Sequence, residues 1–332
     1  MLTTLLKSRT FLILLLVGST SGAWADSLSQ NDLNWLKKIS LAARQSDFSG
    51  TYIYQSGSYV ETSRITHVLD GENEYERLEG LDGERSEIIR KNDQIWCYLG
   101  DNKVMVAKRD GARTFPALLP EQLALLQENY QISQGDEDRV VGFQAHSISF
   151  HPKDKMRYFH KMWAHSDSGL LLKAVVLDEH EQVIEQYAFT QLTIGGDIDR
   201  KWIQAEKLSS KQGRSDSDNI SSQGARPTAV ESGWKVYPLP SGFKKTIEVS
   251  RRLRGNNTLV THLVYSDGLA GISVFIEKID KKSSAKQGLY SKGIIHVFTK
   301  IMDGNLLTVV GEVPPRTVMR VAESVRYEGN TQ

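Results

Sequence analysis

FSGTYIYQSGSYVETSRITHVLDGENEYERLEGLDGERSEIIRKNDQIWCYLGDNKVMVAK, residues 48–108, decides the fold. Turn signals at Ser56-Gly57-Ser58, Asp70-Gly71, Asp82-Gly83, Asn92-Asp93 and Gly100-Asp101-Asn102 cut it into six runs. Asp-Gly between β-rich runs marks a hairpin, because the turn needs positive φ that Asp and Gly tolerate. Tyr52-Ile53-Tyr54, Ile65-Thr66-His67-Val68, Ile88-Ile89, Ile95-Trp96-Cys97-Tyr98 and Val104-Met105-Val106 carry the β-branched and aromatic residues that pleated surfaces favour. Tyr75-Glu76-Arg77-Leu78 is the weakest run. The stretch predicts an antiparallel meander, and with it a large curved sheet.

Before the meander, residues 31–44 place Leu33, Leu36, Ile39 and Ala43 at helical spacing, which predicts an amphipathic helix packed across the sheet. After it, Pro116 and Pro120 interrupt the β pattern, and residues 121–126 predict a short helix with Pro at its start. Strand character returns at 140–150, 156–164, 170–177 and 183–194, for about ten strands in all. Residues 208–230 are rich in Ser, Gln, Gly, Asp and Asn, a linker composition. Beyond them, strand-like runs at 245–252, 258–265, 271–278, 294–301 and 306–312 precede a helix opened by Pro314-Pro315. A further helix is expected near 285–290. The expected class is mainly β with α+β character: a large domain over 26–207, a linker over 208–230 and a small α+β domain over 231–328.

Residues 1–25 read as a secretory signal peptide. Lys7 and Arg9 supply the positive start, 11–17 a short apolar run, and Ala23-Trp24-Ala25 a small-residue cleavage site. Asp26 follows the cut, so attachment of a lipid at Cys is not indicated, and a periplasmic location is expected. Cys97 is the single cysteine, which excludes an internal disulfide and suits a small buried hydrophobe. Residues 26–206 hold 20 Lys+Arg against 29 Asp+Glu, a net of −9, whereas 231–332 hold 15 against 9, a net of +6. Such asymmetry points to two kinds of partner or to mutual attraction.

Chemistry is sparse. The chain has no G-x-S-x-G elbow, no P-loop and no strand-linked G-x-G-x-x-G. His180-Glu181 is followed by Glu185 where a zinc helix would need His, so it reads as an acidic turn. His160 and His165 are five positions apart and face opposite sides of a strand, while His67, His146, His262 and His296 carry no pattern. Asp136-Glu137-Asp138 reads as a loop. No metal and no cofactor are expected, and nucleic acid does not suit the compartment. The aromatic load of the large domain suggests a wall that either fills its own core or lines an acyl-chain groove. Groove candidates are Tyr52, Tyr54, Ile65, Ile88, Trp96, Tyr98, Met105, Phe159, Trp163 and Phe189. In the small domain Lys244, Lys245, Arg251, Arg252 and Arg254, with Tyr265 and Phe275, are candidates for gripping a carboxylate-rich segment or lipid phosphates.

Asp47-Phe48-Ser49-Gly50-Thr51-Tyr52-Ile53-Tyr54-Gln55, Glu61-Thr62-Ser63-Arg64-Ile65-Thr66-His67 and Trp96-Cys97-Tyr98-Leu99 resemble the periplasmic regulators of the envelope-stress sigma factor, the RseB/MucB family. The resemblance resumes at Gly169-Leu170-Leu171-Leu172-Lys173, Glu185-Gln186-Tyr187-Ala188-Phe189-Thr190, Leu239-Pro240-Ser241-Gly242-Phe243, Val264-Tyr265-Ser266-Asp267-Gly268-Leu269-Ala270 and Val309-Val310-Gly311-Glu312-Val313-Pro314. It covers nearly the whole mature chain, the linker excepted. It implies a large domain like the half-barrel of the lipoprotein carriers LolA and LolB. It also implies a small domain that, with the face between domains, grips the periplasmic part of a membrane anti-sigma factor. That grip would shield the anti-sigma factor from proteolysis, with lipopolysaccharide or its lipid A part loosening it, and no catalysis. A lipid or lipoprotein carrier is the alternative, an envelope hydrolase a third reading, and a homo-oligomer stays open.

Overall fold

The computed structural model describes residues 30–92, 94–100, 102–106, 114–203, 228–252, 258–279 and 286–329, with 102–106 described at the backbone alone. Two meanders build the large sheet. The first runs β1 (Phe48–Ser56), β2 (Tyr59–Asp70), β3 (Asn73–Gly80), β4 (Ser86–Lys91), β5 (Gln94–Leu99) and β6 (Asn102–Val106). The second runs β7 (Tyr130–Val140), β8 (Phe143–Pro152), β9 (Phe159–His165), β10 (Leu171–Leu177) and β11 (Val183–Ile194). β1 pairs with β11, so the sheet order is β6-β5-β4-β3-β2-β1-β11-β10-β9-β8-β7, antiparallel throughout. Gly57, Gly71 and Gly83 adopt the positive φ that the turn signals require.

Helix α1 (Gln30–Gln45) buries Leu36, Ile39, Ala42 and Ala43 against this sheet. It touches β2, and Trp35 on it meets His146 of β8 edge-on at 5.9 Å. Those strands are five places apart, about 24 Å in a flat sheet, and a helix is only about 10–12 Å across. The sheet therefore curls around α1, whose concave-side core includes Phe48, Tyr52, Ile65, Tyr130, Ile148, Phe150, Met162 and Phe189. A second, smaller cluster of Val68, Tyr75, Ile198 and Ile203 covers part of the opposite face.

The small domain is a seven-stranded sheet of order β12-β14-β15-β16-β19-β18-β17. Its strands are β12 (Thr228–Ala229), β14 (Lys244–Arg252), β15 (Leu259–Ser266), β16 (Gly271–Lys278), β17 (Gly288–Lys292), β18 (Ile295–Met302) and β19 (Asn305–Gly311). Helix α3 (Pro315–Ser324) packs Val318, Val321 and Ala322 on one face, beside a short pair of β13 (Trp234–Val236) and β20 (Val325–Tyr327). A short helix, α2 (Ala124–Asn129), precedes β7.

Several expectations need correction. The helix expected near 285–290 is a strand, because Gly288 to Lys292 pair residue by residue with β18. Thr228 and Ala229, read as linker, pair with Ser250 and Val249 of β14. Residues 130–140, including Asp136-Glu137-Asp138, form a strand rather than a loop. β7 lies at the edge of the sheet and buries only Tyr130 and Ile132, so it needs no apolar alternation along its length. Cys97 is half-buried rather than fully buried. The signal-peptide reading and most of the linker fall outside the described residues.

Candidate functional site

Strand alternation divides the ten groove candidates between two faces. The register sets Tyr52 opposite Phe189, and Ile65 opposite Leu78, which in turn faces Ile88, so these share the concave face with Tyr54. Tyr52, Ile65 and Phe189 are buried there, under α1 and the segment that carries Phe115, Leu119 and Leu126. Phe115 stacks on Tyr187 with ring centres 5.5 Å apart and meets Phe189 at 5.0 Å. The chain's own residues thus occupy the concave wall. Trp96 pairs with Ile89 and Trp163 with Lys173, one residue out of phase, so Trp96, Tyr98, Phe159 and Trp163 lie on the opposite face. A single groove lined by all ten is not built, because side chains one residue apart point to opposite sides of a sheet. The side chain of Met105 lies outside the described residues; its backbone pairs with Trp96.

The most heavily buried polar cluster sits where the two domains meet. Arg157, on the loop before β9, is 4% exposed, and Asp267, in the turn between β15 and β16, is fully buried. Arg157 Nε donates to Asp267 Oδ2 at 2.5 Å, while its two terminal nitrogens donate to Asp154 Oδ2 and to the Ser241 carbonyl. Tyr130 Oη donates to the same Asp267 oxygen at 2.9 Å, and Asp267 Oδ1 accepts the Leu269 and Ala270 amides at 3.0 and 2.8 Å. The guanidinium also lies over the Phe243 ring at 4.9 Å. Burial and the carboxylate of Asp267 together hold the Tyr130 hydroxyl protonated far above its usual range. Both charges of the pair are hydrogen-bonded on several sides, which is the condition for a buried ion pair to be tolerated.

Further contacts extend this seam. Gly242 packs directly on the Asn129 side chain, and Gly268 on Leu126. Tyr158 Oη and His296 Nε2 are 2.9 Å apart, Thr317 Oγ1 donates to the Met156 carbonyl at 2.9 Å, and Arg316 pairs with Glu179 at 2.5 Å. At one end, Glu185 accepts from Tyr54 Oη at 2.8 Å beside a cavity of about 310 Å³ lined by Gln55, Gly57, Val183, Ile184, Glu185 and Gln186. Burial pushes the Glu185 carboxyl up to about 7, against the Tyr54 hydrogen bond, and the charge of Glu312 from the small domain adds to the rise.

The small-domain candidates disperse. Tyr265 is a core residue facing α3, not a surface contact, because it shares the α3 side of the sheet with Leu263 and Val274. Lys244 reaches Glu128 of the large domain at 3.8 Å, and Lys245 pairs with Glu248. Arg252 is exposed, and Arg251 lies over the Phe275 ring at 5.4 Å. Arg254 lies outside the described residues. Sequence reasoning passes over Arg157, Tyr130 and the ionic role of Asp267; Ser266-Asp267-Gly268 reads only as a turn, and no local pattern couples it to a loop 110 residues earlier.

The model of the MucB/RseB N-terminal domain matches residues 31–207, and that of the MucB/RseB C-terminal domain residues 228–326. The sigma factor AlgU regulatory protein MucB of Pseudomonas aeruginosa is 33% identical over 98% of this chain and 99% of its own.

The chain belongs to the MucB/RseB family.

The sigma-E factor regulatory protein RseB of Escherichia coli is 22% identical over 88% of this chain and 89% of its own. Among solved structures, MucB in complex with MucA(peri) superposes with a TM-score of 0.68 at 28% identity, over 90% of this chain and 99% of that one. A further crystal structure of MucB gives 0.62 at 27% identity. The curated relatives in the MucB/RseB family are regulatory proteins of sigma factors. For this member, the chemistry of the seam is that of a fastener between domains: fixed charges, several buried hydrogen bonds and close backbone packing.

Proposed function

We propose that this protein is a non-enzymatic periplasmic regulator of an envelope-stress sigma factor. It binds the periplasmic region of a membrane anti-sigma factor, shields that region from regulated proteolysis, and lets it go when lipopolysaccharide or its lipid A part binds. The observation that carries this reading is the likeness along nearly the whole length to MucB, a protein crystallised together with MucA(peri). The domain division follows the same reading: an export segment over 1–25, a large domain to 207, a linker ending before Thr228, and the small domain beyond.

The seam gives release a physical basis. A lipid weakens partner binding either by competing for the partner's surface or by preferring a domain arrangement that binds the partner poorly. The Arg157–Asp267 pair holds the arrangement seen here, and a rearrangement must break or rebuild it. Calorimetry of the purified mature protein with its own organism's anti-sigma periplasmic region tests the reading, with and without lipopolysaccharide. Tight binding that weakens with lipid is expected. Retention of lipid with no binding to that region would identify a lipid carrier instead.

A further inference from the structure

On the small sheet, α3 covers one face only. The other face carries Ile247, Val249, Val264, Phe275, Val297 and Val310, all half-buried, and the fully buried Val260, with His262 and Arg251 among them. Here His262 stacks flat on Phe275, ring centres 4.3 Å apart and planes within 6°, while the Arg251 guanidinium covers the same ring at 5.4 Å. His262 is 9% exposed, yet its Nε2 has no hydrogen-bond partner among the described residues, and neither has Arg251 Nε. Burial and the neighbouring Arg251 charge push His262 down to about 4, so the ring is neutral at pH 7 and leaves Arg251 as the only charge of the trio.

A half-buried guanidinium without a counter-ion among the described residues is a costly arrangement. Burial lowers the Arg251 pKa, and no opposing charge among the described residues offsets it. The group that best satisfies it is a carboxylate, whose two oxygens match the guanidinium fork. Along the sheet, same-face residues recur every second position, about 6.5–7 Å apart, which is the repeat of side chains on an extended peptide. The net positive charge of the small domain suits an acidic segment. Anionic lipid surfaces are read by clusters of several Lys and Arg, whereas this site is one guanidinium pinned on a ring, so a peptide fits better than a membrane.

We propose that Arg251, His262 and Phe275 form a docking spot for an Asp or Glu side chain of an extended peptide partner laid across the face of the small sheet opposite α3. That the partner is the anti-sigma periplasmic region rests on the function proposed above.

Calorimetry of the mature protein with that region, at low and at high salt, compares wild type with Arg251→Ala, Arg251→Lys and a control on the exposed Arg320 of α3, Arg320→Ala. Arg251→Ala is expected to weaken binding tenfold or more and to reduce its salt dependence. Arg251→Lys restores less than half of the loss, since an ammonium lacks the fork, and Arg320→Ala stays within threefold. Arg251→Gln replaces the Ala variant if that one unfolds. Unchanged affinity and salt dependence on removing the guanidinium overturn the proposal, as does loss of binding to lipopolysaccharide-containing vesicles with peptide binding intact. If wild type does not bind the region at all, the functional reading falls instead. The spot is then probed with an alternating Val-Glu peptide and its Val-Gln counterpart, following the His262 ring signals by NMR. Shifts with the Glu peptide alone uphold the docking spot, and no shift, or equal shifts, with the two peptides sinks it.

Discussion

Arg157 has five donors to place, and burial leaves no water to take them. Asp154, Asp267 and the Ser241 carbonyl share them, two of the three reached across the boundary between domains. Asp267→Ala removes the counter-charge and leaves the guanidinium buried, a loss of about 3–5 kcal/mol by the usual cost of breaking such a pair. Urea unfolding of this variant, of Arg157→Ala and of the double variant measures it; in the double variant the losses should fall well short of their sum. Glu185 is a second test at this scale. Its carboxyl titrates near 7 in the folded chain against an ordinary 4.5. Between those values the folded state holds a proton that the unfolded state has released. Stability from this group is therefore full below about pH 4.5 and declines as pH rises through 7. Glu185→Gln should flatten the drop in melting temperature between pH 5 and pH 8, and an unchanged slope would assign that drop to other groups.

At the scale of elements, hairpins are legible in the sequence and edges are not. The turn signals locate the first five turns, at Gly57, Gly71, Gly83, Asn92 and Gly100, because positive φ is a local demand that few residues meet. β7 escapes a sequence reading, since an edge strand facing solvent along most of its length carries Ser, Gln, Asp and Glu as readily as a loop does. β12 and β17 escape it for a related reason: short, exposed edges take their strand identity from a neighbour's hydrogen bonds. Gly50, inside β1, shows what pairing demands of a strand interior. A Cβ there would stand 2.6 Å from the Gln191 carbonyl and 2.8 Å from the Phe189 ring, next to the register shift at Thr51–Tyr52. Gly50→Ala should cost about 1–3 kcal/mol, the usual penalty of forcing atoms into a packed core. A chemical-denaturation midpoint shows it, and a neutral result would mean that β1 and β11 separate more easily than their packing suggests.

For the whole molecule, the question is whether two domains act as one body. Gly242 has φ of +77°, and a Cβ on it would fall 1.7 Å from Asn129 Oδ1. Gly242→Ala should therefore part the domains along the seam while leaving each core intact. Small-angle scattering would show a larger radius of gyration for it, with a near-unchanged β signal by circular dichroism. If the radius stays that of the wild type, Asn129 has room to move and the seam is looser than its contacts imply.

Taken by itself, the sequence determined the class, the two-sheet plan, most strand positions and the family, because hydrophobic periodicity, turn chemistry and family motifs are local properties. Only the tertiary structure decided which side of each strand faces inward, since runs such as Ile95–Trp96 and Phe159–Trp163 are apolar in both phases and register alone breaks the tie. It also decided that α1 and the segment around Phe115 occupy the concave wall. And it brought Arg157 to Asp267 and Arg251 to His262 and Phe275, pairings between distant positions that no spacing along the chain encodes.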